Sequence, residues 1–202
     1  MGRRQVAGGV AEEAARIFVE EALTDYGMAK RKAAERLGLP ARSGLPDNLS
    51  VQQQVLAYQR LFGGAQYAHQ LLTLRQTAVQ AMHWLKDFSP RLVGAVVSGA
   101  ISDAHRIQLH AFPEKPELVD TFLSAKRVAM QADERDYRWP DGRSASIPLA
   151  RFDAPNGIGI DVALFGPEDR HRAPCSPVDG KPVKRLSLAE AEALASAPIT
   201  VL

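Results

Sequence analysis

Arg106, Gln108 and His110 stand two residues apart in the run RLVGAVVSGAISDAHRIQLHAF, which extends from Arg91 to Phe112. On a β-strand, side chains two apart project to one face. The row then offers a guanidinium fork, an amide and an imidazole to a common ligand. A phosphate group suits it, because a guanidinium binds phosphate oxygens through paired hydrogen bonds. Two plainer readings stand beside that one. The row is an ordinary solvent-exposed strand face, or Arg106 pairs with Asp161 across the sheet. Gly94, Ser98 and Gly99 precede the row and belong to the turn that leads into it.

A second cluster is basic: Lys30, Arg31, Lys32 and Arg36 follow Tyr26. A basic helix with an aromatic residue is a footprint for RNA backbone or acidic partners. With Glu35 intermixed it is also the ordinary solvated face of a helix. The expectation is no specific nucleic-acid binding at physiological salt. His69, His83 and His171 are scattered, and His105 and His110 fall on opposite faces of one regular strand, so no metal site is expected. Cys175 lies in RAPCSPVDG, four residues after His171. A thiol nucleophile needs a base close in space, and the run more plainly encodes a rigid turn at Asp179-Gly180, able to line a pocket. Asp103 reads as a turn residue. Neither a Gly-x-x-x-x-Gly-Lys-Ser/Thr loop nor a Gly-x-Gly-x-x-Gly after a strand is present. That argues against a P-loop ATPase and a dinucleotide-dependent dehydrogenase.

The elements that must position these groups change character at Pro90. Before it, helical spacing covers Val10–Leu23, Tyr26–Leu37, a segment N-capped by Ser50, and Ala65–Phe88. Ala41–Asn48 reads as a loop, and Gly63-Gly64 breaks the third helix from the fourth. Ser89 precedes a proline and is biased to extended backbone. After it, Leu92–Val97 reads as a short buried strand and Ile107–Phe112 as an alternating one. Pro116–Lys126 reads as a helix. Asp136–Trp139, Ser146–Phe152 and Ile158–Phe165 read as strands, with turns at Asp141-Gly142 and Asn156-Gly157. Gly166–Arg185 is a long ordered loop, and Ser187 with Glu190 forms a capping box for a last helix. Helices segregated from strands define an α+β protein, with a helical part over residues 1–90 and an α+β part over 91–202, possible as one compact domain.

The order strand, Gly94, turn, Gly99, strand resembles the signature of the nucleotidyltransferase superfamily. There a strand ending in Gly-Ser or Gly-Gly is followed by a turn and a strand carrying Asp-x-Asp. The runs Arg91–Gly99, Leu109–Phe112, Ser176–Gly180 and Tyr26–Ala33 more specifically resemble uncharacterised bacterial nucleotidyltransferase-like proteins. The resemblance implies a small mixed sheet with packed helices, and it puts Arg106 and Gln108 where active members place two metal-binding aspartates. Asp161 matches their third carboxylate. Nucleotidyl transfer needs Mg²⁺ to bridge the triphosphate, and Mg²⁺ takes hard oxygen ligands. An arginine repels the ion and an amide oxygen is a weak ligand. The implied function is a catalytically degenerate scaffold, a pseudoenzyme acting as a binding or regulatory protein. No cofactor is then needed, and the partner is a nucleotide or another phosphorylated small molecule. One alternative is an active enzyme holding Mg²⁺ through Asp161, Asp153 or Asp103. Another is an interaction protein using its helical half.

Composition sets outer limits. The chain has 202 residues, 46% of them hydrophobic, enough for a packed core, and a formal net charge of +2 that selects no class of partner. One cysteine rules out an internal disulfide. No apolar stretch follows the N-terminal arginines and none reaches the roughly 18 residues of a membrane span, so a cytoplasmic protein is expected.

Overall fold

The computed structural model describes residues 2–40 and 44–201, so the start of the loop expected at Ala41–Asn48 lies outside the described residues. Four helices come first: α1 (Gly2–Glu20), α2 (Tyr26–Arg36), α3 (Asn48–Phe62) and α4 (Gly64–Trp84). The sheet elements follow: β1 (Arg91–Val93), the short α5 (Ala95–Ser98), β2 (Ile107–Ala111), α6 (Glu117–Ala125), β3 (Gln131–Arg138), β4 (Ser144–Asp153) and β5 (Gly159–Leu164). α7 (Leu188–Ser196) closes the chain. The strands form one five-stranded sheet in the order β1-β2-β5-β4-β3. It is mixed: β2 and β5 run parallel and the other neighbours antiparallel. The class is α+β, as the segregation of helices and strands implies.

Alternation along β2 sorts the two faces of the sheet. Ile107, Leu109 and Ala111 join Leu92, Val162, Ala150 and Phe152 in a core closed by Leu71, Leu74 and Met82 of α4, by Leu85 just after it and by Val119 and Leu123 of α6. The helices α1–α3 have a separate, alanine-rich core, into which Ala100 inserts from the loop after α5. A third cluster, Phe112, Trp139, Ile147, Leu149, Ala163 and Phe165, lies on the other side of the sheet. No helix among the described residues is long and apolar enough to cross a membrane.

Several local expectations are corrected. The apolar run Leu92–Val97 is a strand only as far as Val93, and its second half is the helical turn α5. Gly94 causes the change: its φ of 78° and ψ of −149° suit a residue without a Cβ, and they turn the chain out of the strand. A short apolar run does not distinguish strand from buried helix by periodicity. Asp47, not Ser50, caps α3, its carboxylate accepting the Ser50 N–H at 2.6 Å. Ser89 is left-handed, with φ 51° and ψ 51°, because its N–H closes the 3₁₀ turn Lys86–Phe88 onto the Lys86 carbonyl. β3 begins at Gln131, five residues before the expected Asp136.

The loop from Gly166 to Arg185 folds over the third cluster as a strap. It holds a 3₁₀ segment, Pro167–His171, and a bridge between Cys175 and Pro182. The Cys175 N–H reaches the Arg138 carbonyl at 2.6 Å, and the Pro177 carbonyl accepts from Asn48 of α3 at 2.7 Å. The strap therefore spans from the β3 edge to the helical part.

Candidate functional site

The register of the sheet sets Gln108 opposite Asp161, and Asp161 opposite Arg151. Arg106 precedes β2 and bends onto the same face. Its side chain takes the space above Gly159, where even a methyl group would overlap the guanidinium. There Nε donates to Asp161 Oδ1 at 2.6 Å, Nη1 to Asp153 at 3.1 Å, and Nη2 to the carbonyls of Phe152 and Ile160 at 3.0 and 3.3 Å. Asp161 is 4% exposed. It also accepts from Arg135 at 3.2 Å and Arg151 at 3.3 Å. Arg151 donates in turn to Asp133 at 3.1 Å. Three guanidiniums thus converge on one buried carboxylate, and the pairing of Arg106 with Asp161 is the second of the plainer readings.

This geometry corrects the idea of a free phosphate-binding row. Four of the five N–H donors of Arg106 are already used within the protein. His110 is not exposed either. It is 2% exposed, packed against Phe165 and Tyr137, and its Nδ1 accepts from Arg185 Nε at 3.0 Å. That bond fixes the proton on Nε2. Burial first, then the nearby Arg185 and Arg135, holds its pKa well below the ordinary histidine value, so the ring is neutral. Arg185 lies over the rings of Phe112 and Phe165, 4.9 Å from each centroid, and burial draws its pKa down to about 10.

Gln108 is half-buried and its side chain lies over Gly94, where a Cβ would overlap the amide oxygen. Gly99, with φ 87°, ends α5, and its carbonyl accepts from Tyr67 at 2.9 Å. Ser98 bonds back to the Ala95 carbonyl and receives a 3.4 Å contact from Gln52. The structure therefore brings Gln108 beside Gly94 and Asp161, whereas Ser98 and Gly99 turn toward the helical part and His110 is sealed beneath the strap. Arg135, Arg151 and Asp133 were missed by the sequence reading. Their only signal is the spacing of Asp133 and Arg135 by two, which has no meaning until β3 is known to be a strand.

The basic patch resolves into intramolecular pairs. Lys30 donates to the Pro46 carbonyl at 3.0 Å and to Asn48 at 2.8 Å. Lys32 pairs with Glu21, and Arg36 with Glu21 at 2.6 Å and Glu13 at 3.3 Å. Arg31 is exposed and makes no ion pair. His105 lies before β2, not on it, and its Nδ1 accepts the Ser102 N–H at 2.8 Å; burial pushes its pKa down to about 4. His83 pairs with Glu192, while His69 and Asp103 line a groove of about 800 Å³ between α4 and the loops before β2 and β5. Cys175 is half-buried in the strap, with no hydrogen bond from its thiol to His171.

The sequence matches no protein-family model, and none of the curated proteins compared with it matches.

Proposed function

We propose that this chain is a catalytically degenerate nucleotidyltransferase-like protein that binds a nucleotide or another phosphorylated small molecule on the sheet face carrying Gln108, Arg135 and Arg151 and serves a binding or regulatory role. One observation carries the reading: Arg106, at the first position of the metal clamp, is tied to both Asp161 and Asp153. A divalent ion drawn to those acids meets a fixed positive charge at its own site. The order α4, β1, Gly94 turn, β2 and then a parallel β5 bearing Asp161 supports the scaffold assignment. The remaining N–H groups of Arg135 and Arg151 and the unbonded Gln108 amide are the donors for a phosphate. The alternative, an active enzyme with non-standard ligands, needs Asp161 and Asp153 released from Arg106.

The test has two parts. Purified protein should release no pyrophosphate from any common nucleoside triphosphate with Mg²⁺ or Mn²⁺. Triphosphates should still raise its melting temperature, and Arg151→Gln should weaken that rise. Divalent-dependent release of pyrophosphate, abolished by Asp153→Asn, would make the active-enzyme alternative correct. Absence of any ligand-induced shift would remove the binding role.

A further inference from the structure

On the basic helix Lys30, Lys32 and Arg36 are paired and Arg31 is not, whereas the strap carries several exposed cations without partners. Residues 167–185 contain five Lys/Arg (Arg170, Arg172, Lys181, Lys184, Arg185) against three Asp/Glu (Glu168, Asp169, Asp179), an excess of +2 that equals the whole formal net charge of the chain. Of these acids, buried Asp169 is paired with Arg143, Asp179 accepts the Lys181 backbone N–H at 3.1 Å, and exposed Glu168 makes no ion pair. Arg170, Arg172 and Lys181 are exposed, and their side chains make no ion pair or hydrogen bond. Lys184 and Arg91 make no ion pair, although both lie near enough to Glu190 to help lower its pKa, after the dominant Ser187 hydrogen bonds.

The fold brings these residues together. Arg185 Nη1 donates to the carbonyls of Asp169 at 2.7 Å and Arg172 at 3.3 Å, closing the strap on itself. The Val183 N–H bonds to the Pro174 carbonyl at 2.8 Å, and Leu186 pairs with Leu92 in β1, next to Arg91. Prolines 167, 174, 177 and 182 further restrict the backbone. The result is a braced strap carrying several exposed cations without partners, while three of the four cations of α2 are spent internally.

We infer that the strap, with Arg91, is a docking surface for the phosphodiester backbone of a nucleic acid, bound without regard to base sequence. One observation favours this partner over an acidic protein. Protein interfaces depend on buried aromatic and apolar anchors. Among the described residues, the exposed large apolar side chains (Met28, Leu37, Leu49, Leu61, Phe62, Leu72 and Leu118) are all on or beside the helices and none is on the strap. Backbone binding needs only fixed cations at the surface. The strap covers the His110 end of the sheet face that carries Gln108 and Asp161, but its cations are different side chains from Arg135 and Arg151, so variants of either set separate this inference from nucleotide binding.

The experiment is a fluorescence anisotropy titration of the full chain with a labelled, unstructured single-stranded RNA and the DNA of the same sequence. Both should bind at 50 mM salt, and affinity should fall about 100-fold by 200 mM, as release of about five counterions from a single strand requires. Equal binding of RNA and DNA assigns recognition to phosphate, and a preference for RNA adds the 2′-hydroxyl. Lys181→Ala with Lys184→Ala should reduce the slope of log affinity against log salt by about 1.4, and Arg170→Ala with Arg172→Ala by a similar amount. Arg31→Ala with Arg60→Ala, elsewhere on the surface, should leave the slope unchanged. Triphosphate-induced thermal shifts should survive both strap variants. The inference is overturned by absence of binding at 50 mM salt, by slopes that neither strap variant changes, or by poly-glutamate displacing the RNA as well as unlabelled RNA does.

Discussion

Asp161 is a carboxylate whose surroundings define its role. Its side chain is 5% exposed, whereas those of Arg106, Arg135 and Arg151 are 30–38% exposed. Removing the charge therefore strands no deeply buried cation, because the three guanidiniums can turn toward water. Asp161→Asn should cost about 2 kcal/mol, the range for hydrogen bonds to charged groups. Asp153, with its side chain 64% exposed, pairs with the same Arg106, yet Asp153→Asn should change stability by less than about 0.5 kcal/mol. Urea melts of both variants check the contrast, and equal effects would mean that the network is solvated throughout. Histidines add a pH dependence. His105 and His110 are held neutral in the fold, His105 with a pKa of about 4 against 6.5 when unfolded. Between those values the unfolded chain binds more protons, so stability is full above pH 6.5 and is lost as pH falls toward 4. The slope reaches about 1.4 kcal/mol per pH unit for each histidine. Thermal melts from pH 7 to 4.5 should show the loss, and His105→Asn should remove its share. A flat profile above pH 5 would show that neither ring is neutral and buried.

Elements explain which parts of the site were readable. The pairing of Arg106 with Asp161 was legible because Asp161 lies on a strand and Arg106 adjoins one, and the faces of both strands follow from period two. Arg135 and Arg151 were not, because their approach depends on the β3–β4–β5 register, and β3 hides in the polar run QADERDYR. An edge strand exposed on most of its length lacks the apolar alternation that marks a strand, and its charges protect the edge from further pairing. The ion pairs of α2 were hidden for another reason: Glu21 and Glu13 lie 11 to 23 residues away in sequence, and only the packing of α1 on α2 joins them. The sequence pattern ran the strand through Gly94 to Val97 and set the turn at Gly99; that the chain leaves the strand at Gly94 for a helix needed the backbone angles. Gly94→Ala should destabilise by about 2–3 kcal/mol from backbone strain, with overlap against Gln108 in addition. Gln108→Ala in the same chain should recover the overlap and leave the strain. Complete recovery would mean that Gly94 tolerates a Cβ in its observed conformation. No recovery would mean that the Gln108 amide is not what fills the space.

At the scale of the whole molecule, two cores of unequal strength meet at one loop. Among the described residues the helical core of α1–α3 has 11 buried side chains, six of them alanine, whereas the core between α4 and the sheet has 22, five of them alanine. Apolar burial stabilises by about 25 cal/mol per Å², so the alanine-rich core is the weaker of the two. Gly99–Ser102 joins them. Ala100 inserts into the helical core and Ile101 into the sheet core, Gln59 bonds to the Ile101 carbonyl at 3.0 Å, and Ser102 Oγ donates to the Leu23 carbonyl at 2.7 Å. This connection is small relative to either core, so α1 and α2 should open as a unit at lower free energy than β2 and β5. Native-state hydrogen exchange measures this directly. Amides of α1 and α2 should show a common opening free energy below that of β2 and β5. Ser102→Ala should lower the α1–α2 value while leaving the strands nearly unchanged, because it removes a bond to the helical part without touching the sheet. A single opening free energy shared by all four elements, lowered equally in the variant, would show that the loop couples the cores into one cooperative unit. The outcome also bears on the strap, whose Pro177 carbonyl is held by Asn48 at the start of α3. If the helical part opens alone, that tether is released with it while Cys175 stays bonded to β3. Amides of Ser176–Gly180 should then exchange with α1 and α2 rather than with the sheet.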